Sequence, residues 1–243
     1  MKTKRRYRVF LIFIFAFLLQ ASSLKSQTDI SEGWEVKATE TQPPDKVMET
    51  IGVKPGMVIG EIGAGRGRYT VYLSRRVGKT GKIYANDINP EALNYLKNRC
   101  RKLGFTNVET IIGKNEDPLF PEKSLDMAIM VWVYHMLDKP DNLLKNLLPS
   151  LKPGAVLAIL DPIDSEIDAE FHIDRNKAGV SIPKIKERIE KSAKEAGFEL
   201  VKVETFLPKD YIFILRPKVE IGYMTVGYFL DELHSPRKRK SGS

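Results

Sequence analysis

One stretch constrains this chain more than any other: Val58-Ile59-Gly60-Glu61-Ile62-Gly63-Ala64-Gly65-Arg66-Gly67. A short apolar run meets an acid and then glycines at 63, 65 and 67. The run is too short for a helix and predicts a buried parallel strand. Glycines directly after such a strand let the backbone turn tightly and come closer to a ligand than any side chain would allow. From Arg68, the segment Arg68-Tyr69-Thr70-Val71-Tyr72-Leu73 predicts an amphipathic helix whose N-terminal N–H groups face back to the loop. The strand, loop and helix together read as the first unit of a nucleotide-binding α/β fold.

Spacing narrows the ligand. A dinucleotide fingerprint needs glycines at its first, third and sixth positions. Counted from Gly63, the sixth position is Arg68. No Lys-Ser or Lys-Thr pair follows the loop, which excludes a phosphate-cradling P-loop. What remains is acid-x-Gly-x-Gly-x-Gly. A carboxylate at Glu61 would repel a pyrophosphate and suits a ligand that carries an ammonium and a sulfonium. These residues resemble motif I of the class I S-adenosylmethionine-dependent methyltransferases. The resemblance implies that Glu61, Gly63, Ala64, Gly65 and Gly67 cradle S-adenosyl-L-methionine as cofactor.

The 243 residues suffice for one packed domain with extensions at both ends. The single cysteine, Cys100, can form no internal disulfide and reads as an apolar filler. The formal charge of +8 resides in the tails: Lys2, Lys4, Arg5, Arg6 and Arg8 at one end, and Arg237, Lys238, Arg239 and Lys240 at the other. The rest is close to neutral, so no basic face for nucleic acid is expected. Behind the first basic cluster, Val9 to Leu19 is uncharged and ends in the small residues Ala21, Ser22 and Ser23. That pattern predicts a signal peptide or N-terminal anchor over 1–23, because the apolar run falls short of the ~20 residues of a spanning helix. The expected location is periplasmic, secreted or membrane-anchored through the N-terminus. A donor made in the cytosol argues instead for a cytoplasmic protein.

The body predicts a Rossmann-like, doubly wound α/β fold. Its seven-stranded sheet is expected to be mostly parallel, with an antiparallel last strand. Residues 24–42 read as a linker or cover segment with Trp34 and Val36 as its apolar anchors. A helix over 44–51 starts on Pro43-Pro44. A second strand ends at Asp87, 24 residues beyond Gly63. An acid there can accept from both ribose hydroxyls of a bound nucleoside, with Ile88 beside it; alternatively it caps the helix that begins at Pro90.

After a third strand at 107–112 comes Gly113-Lys114-Asn115-Glu116-Asp117. The family usually places an adenine-binding acid where Lys114 stands, so Asn115, Glu116 or Asp117 must serve here. A fourth strand, 125–131, leads to Tyr134 and His135. These are candidate catalytic residues for acceptor positioning or proton removal, the alternative being a pocket wall and a satisfied structural histidine.

A helix is expected over 140–149 and a fifth strand over 155–160. The charged stretch 161–180 reads as a lid or a solvated loop. A helix over 182–196 and strands at 199–205 and 211–215 complete the fold. His135, Asp138, His172 and His234 lack metal-ligand spacing, and no metal is expected.

The resemblance spans 43–216, with 217–243 as a C-terminal extension beyond it. It is carried by Gln42-Pro43-Pro44-Asp45, motif I, Tyr134-His135 with Asp138-Lys139-Pro140, Leu151-Lys152-Pro153-Gly154 and Glu195-Ala196-Gly197-Phe198. These stretches are similar to bacterial methyltransferase-domain proteins akin to the ubiquinone and menaquinone C-methylases. The resemblance implies methyl transfer to a small-molecule acceptor by direct displacement, in which the protein chiefly aligns the reactants and excludes water. Two other readings remain: an unusual NAD-dependent oxidoreductase, disfavoured by Glu61 and Arg68, and a non-catalytic S-adenosylmethionine-binding or exported binding protein.

Overall fold

The computed structural model describes residues 30–164 and 184–218. The expected leader, lid and C-terminal extension, with His172 and His234, lie wholly or largely outside the described residues. Within them, seven strands form one sheet of order β3-β2-β1-β4-β5-β7-β6. The strands are β1 (Val58–Ile62), β2 (Lys82–Asp87), β3 (Val108–Ile112), β4 (Leu125–Val131), β5 (Leu151–Pro162), β6 (Phe198–Glu204) and β7 (Asp210–Pro217). All pairings from β3 through β5 are parallel; β7 runs antiparallel to both β5 and β6. The strand order reverses between β1 and β4. That opens a crevice at their carboxyl ends, the usual ligand position in such sheets.

The helices are α1 (Val36–Thr41), α2 (Pro44–Ile51), α3 (Thr70–Val77), α4 (Pro90–Lys102), α5 (Pro140–Leu147) and α6 (Ile185–Glu195). The central strands are apolar on both sides and split their side chains between two cores. Met127 and Ile129 of β4 pack with Val71, Leu73 and Leu96 from α3 and α4. Ala128 and Met130 pack with Leu143, Leu144, Ile189 and Phe213 on the other face. Their complete burial explains the unbroken apolar runs in the sequence.

Several boundaries differ from expectation for local reasons. α3 begins at Thr70 rather than Arg68, because Gly67 to Tyr69 still form the turn out of the loop. α5 stops at Leu147 and tightens into a 3-10 turn, Leu148–Ser150; Pro149 has no N–H to continue the helix. β5 starts at Leu151, and Lys152-Pro153-Gly154 forms a bulge within the strand as its register against β4 shifts between Leu125 and Met127.

The segment before α2 is held differently from the way its composition suggests. Trp34 and Val36, expected as anchors, are 53% and 50% exposed. The anchor is instead the fully buried Glu35, in a 3-10 turn (Gly33–Glu35). The Arg99 guanidinium from α4 grips it with two parallel bonds, Nη1 to Oε1 at 2.6 Å and Nη2 to Oε2 at 2.7 Å. Arg99 also donates to the carbonyls of Ile30 and Arg66, so one side chain joins the N-terminal segment to the glycine loop. A buried ion cannot lose its partner cheaply. Arg99→Met is expected to destabilise the fold by about 3–5 kcal/mol, and Glu35→Leu in the same chain to recover most of it. Urea unfolding of the single and double variants checks this.

Candidate active site

The loop leaving β1 contains three glycines with positive φ, at 71° for Gly63, 54° for Gly65 and 89° for Gly67. Two are demanded by the protein itself. A Cβ on Gly63 would lie 2.3 Å from Val133 Cγ2, and one on Gly67 would lie 2.3 Å from Leu96 Cδ1. Gly65 differs, because a Cβ there meets nothing within 4 Å. The space beside it belongs to a cavity of about 220 Å³ walled by the loop and by Trp34, Glu61, Arg68, Tyr69 and Trp132.

The carboxyl end of β2 pins this loop. The Ala64 N–H donates to the Asn86 carbonyl at 2.8 Å, and the Gly65 N–H to Asp87 Oδ2 at 2.7 Å. Asp87 Oδ1 accepts from the Asn89 N–H at 2.9 Å. The cap of α4 is Asn89, whose side chain accepts from Glu91 N and Ala92 N, so Asp87 is not spent on that helix. Each oxygen of the half-buried Asp87 carboxylate accepts one of these bonds and retains further acceptor capacity. Ile88 next to it is 58% exposed, and Ile112 at the end of β3 is 59% exposed.

Glu61 lies at the base of the cavity, only 3% exposed, and accepts from Thr70 Oγ1 at 2.5 Å. Burial pushes its carboxyl up to about 7, against the opposing pull of the Thr70 hydroxyl and the Arg68 charge. A cation arriving in the cavity would favour the ionised form.

Beyond Gly63 the wall continues through Trp132, whose backbone adopts a left-handed φ of 59°. Its N–H donates to the Leu160 carbonyl at 2.8 Å, and its indole Nε1 donates to the buried Asp210 Oδ1 at 2.5 Å. The strained backbone is therefore fixed at both ends of the residue.

Tyr134, expected as a catalytic candidate or a pocket wall, faces the protein interior. It is fully buried, and its hydroxyl donates to the Arg188 carbonyl and bonds Ser192 Oγ on α6. Burial pushes the phenol up to about 12, so it serves packing rather than proton transfer. His135 is brought against Asp161, with Nδ1 and Oδ1 2.7 Å apart. The same carboxylate accepts from the N–H groups of Tyr134 and His135, an arrangement that fixes the imidazole at the carboxyl ends of β4 and β5.

Glu116, expected among the candidates for the adenine contact, is held by neighbours in the protein. Its carboxylate pairs with Lys139 at 2.9 Å and accepts from Asn142 Nδ2 at 2.7 Å, which turns it toward α5. Lys114 and Asp117 close a tight turn by mutual backbone bonds and leave Asn115 exposed at its tip.

Arg68, Trp132, Asp161 and Asp210 escaped a reading by motif. Trp132 and Asp161 could have been flagged as polar-capable residues at strand ends, whereas Asp210 reaches the site only through the antiparallel return of β7. Among the described residues no group of three or more His, Cys, Asp or Glu side chains is gathered as a metal site.

A glycine loop at the switch point, an acid on β1, an acid ending β2 and an antiparallel β7 define the class I methyltransferase fold. Comparison with known proteins agrees: residues 59–154 match the methyltransferase domain family. A crystal structure of an S-adenosylmethionine-dependent methyltransferase from Aquifex aeolicus superposes with a TM-score of 0.59 at 29% identity, covering 71% of this chain and 88% of that one. A geranyl diphosphate C-methyltransferase from Streptomyces coelicolor shares the fold, with a TM-score of 0.60 at 14% identity over 76% of this chain and 81% of that one. Among curated proteins, the ubiquinone/menaquinone biosynthesis C-methyltransferase of Salmonella arizonae is 30% identical over 131 residues, 50% of this chain and 52% of the relative. The chain thus spans about half the length of the curated relatives it matches. Over residues 59–154 it matches a methyltransferase domain, and its sheet has the class I methyltransferase fold.

The Glu61 environment has a pH signature. In the unfolded chain its proton leaves near 4.5, whereas the fold keeps it to about 7. Its contribution is therefore most favourable below pH 4.5, declines as pH rises between those values, and is about 3 kcal/mol lower above them. Urea unfolding at about pH 5 and pH 8 should show this loss in the wild type beyond that seen in Glu61→Gln. Equal losses in both would contradict it.

Proposed function

We propose that the protein transfers the methyl group of S-adenosylmethionine to a small-molecule acceptor by direct displacement. The observation that carries this reading is the pairing of an open Gly65 with the Asp87 carboxylate. The glycine leaves room that no protein atom fills, and the carboxylate beside it keeps acceptor capacity for vicinal hydroxyls. Glu61 suits the donor's ammonium group, and exposed Ile88 and Ile112 offer apolar edges to a flat base. When bound, the donor supplies a methyl group already activated on a sulfonium. The protein's part is then to hold the acceptor in line and exclude water. His135, oriented through Nδ1 by Asp161, stands at the carboxyl ends of β4 and β5, where an acceptor would approach the donor. The C-methylation named for the Salmonella relative is the favoured chemistry for this chain. The basic and apolar N-terminus favours export or anchoring of the domain.

Calorimetric titration tests the reading. The wild type should bind S-adenosylmethionine with micromolar affinity. Gly65→Ala should weaken it by about tenfold or more, or ~1.4 kcal/mol, since the methyl occupies ligand space. Asp87→Asn should weaken adenosine-containing ligands alike. A folded wild type that binds no donor would defeat the proposal.

A further inference from the structure

We infer that Arg68 is a carboxylate-binding residue of the cavity, a role that rests on the donor-binding reading above. Arg68 stands half-buried in the cavity wall, its guanidinium 4.5 Å from the centre of the Trp132 ring and 4.9 Å from that of Tyr69. Its Nη1 donates to Gln42 Oε1 at 2.9 Å. Among the described residues that is its one hydrogen bond, and no carboxylate reaches ion-pair distance. The acids whose charges act on it form no ion pair with it: Glu61 accepts from Thr70, and Asp210 accepts through Oδ1 from the Trp132 indole. A guanidinium fixed in this way, with most of its donors unused, is prepared for a planar anion that accepts two parallel bonds.

A second observation points the same way. The buried Tyr69 OH beside Arg68 lacks a hydrogen-bond partner, whereas Gln42 Nε2 and Asp210 Oδ2, which make no bond of normal length, face one another. Gln42 and Tyr69 are at most 1% exposed, and the Arg68 bond to Oε1 fixes which way the Gln42 amide points. With Arg68 the Tyr69 hydroxyl forms a donor-rich corner, and such an atom is seldom left unmatched inside a protein. Asp210 opposes an anion here, but burial raises its carboxyl above the usual range and so reduces that opposition. Glu61 in the wall of a cavity of about 220 Å³, with Asp87 bonded to the Gly65 N–H and Asp210 to the Trp132 indole, also disfavours a dianionic phosphate. A singly charged carboxylate fits both the space and the charge. It can come from two sources, the α-carboxylate of the methyl donor or a carboxylate on the acceptor.

Calorimetry on the full chain, as wild type, Arg68→Met and Arg68→Lys, separates these sources. The probes are S-adenosylmethionine, its decarboxylated analogue, 5′-methylthioadenosine, and benzoate added with S-adenosylhomocysteine. Methylthioadenosine has no amino-acid portion, and its unchanged binding shows that each variant retains the folded site.

If the donor supplies the carboxylate, the wild type prefers S-adenosylmethionine over its decarboxylated analogue by about tenfold or more. Arg68→Met abolishes that preference and Arg68→Lys keeps part of it. If the acceptor supplies it, donor affinities stay level and benzoate binds the wild type but not Arg68→Met. Either result supports the assignment. Arg68→Met that matches the wild type with every probe overturns it. A wild type that binds neither donor nor methylthioadenosine overturns the donor reading, and this assignment with it.

Discussion

The site depends on one constraint: the chain must leave β1, turn within seven residues and enter α3 while staying against the end of β2. Two glycines satisfy the crowding from Val133 and Leu96, and backbone bonds from Ala64 and Gly65 to Asn86 and Asp87 hold the turn to its neighbour. The loop is thus ordered by protein contacts alone. A ligand meeting it finds N–H groups and a carboxylate already placed, which lowers the entropic cost of binding.

The N-terminal segment extends that order to the other side of the cavity. Arg99 reaches from α4 to Glu35, to the Ile30 carbonyl and to the Arg66 carbonyl of the loop. Cover and cradle therefore share one charged side chain. Trp34, which lines the cavity while half exposed, is positioned by this polar clamp, and its indole donates to Glu32. The arrangement stores specificity rather than net stability, since a buried ion pair repays much of its worth in desolvation.

Charge in the cavity is distributed with the same economy. Glu61 sits deep and is held near neutrality by burial, whereas Arg68 is stacked in the wall with donors to spare. Both side chains stand in the wall of one cavity beside the glycine loop. Asp161 gathers two backbone N–H groups and the His135 ring at the junction of β4 and β5, so that end of the sheet is fixed by one buried acid.

Much of the fold was legible in the chain. Apolar runs at 58–62 and 125–131 could be only buried strands, and Pro44, Pro90 and Pro140 announced helix starts because proline fits the first turn. Motif I and Asp87 were legible as well, because their chemistry is written in backbone freedom and strand-end position. Residues whose meaning lies in a distant partner were not. Tyr134 looks catalytic until Ser192 and the Arg188 carbonyl claim its hydroxyl, and Glu116 looks free until Lys139 and Asn142 take its carboxylate. Trp34 and Val36 outrank Glu35 in hydrophobicity, yet a guanidinium 64 residues away reverses their burial. Local pattern determined the strands, the loop and the class of ligand, since turns and periodicity depend on neighbours in sequence. Only the tertiary structure decided which polar groups remain available at the site, because a side chain is occupied or open according to what folding brings against it.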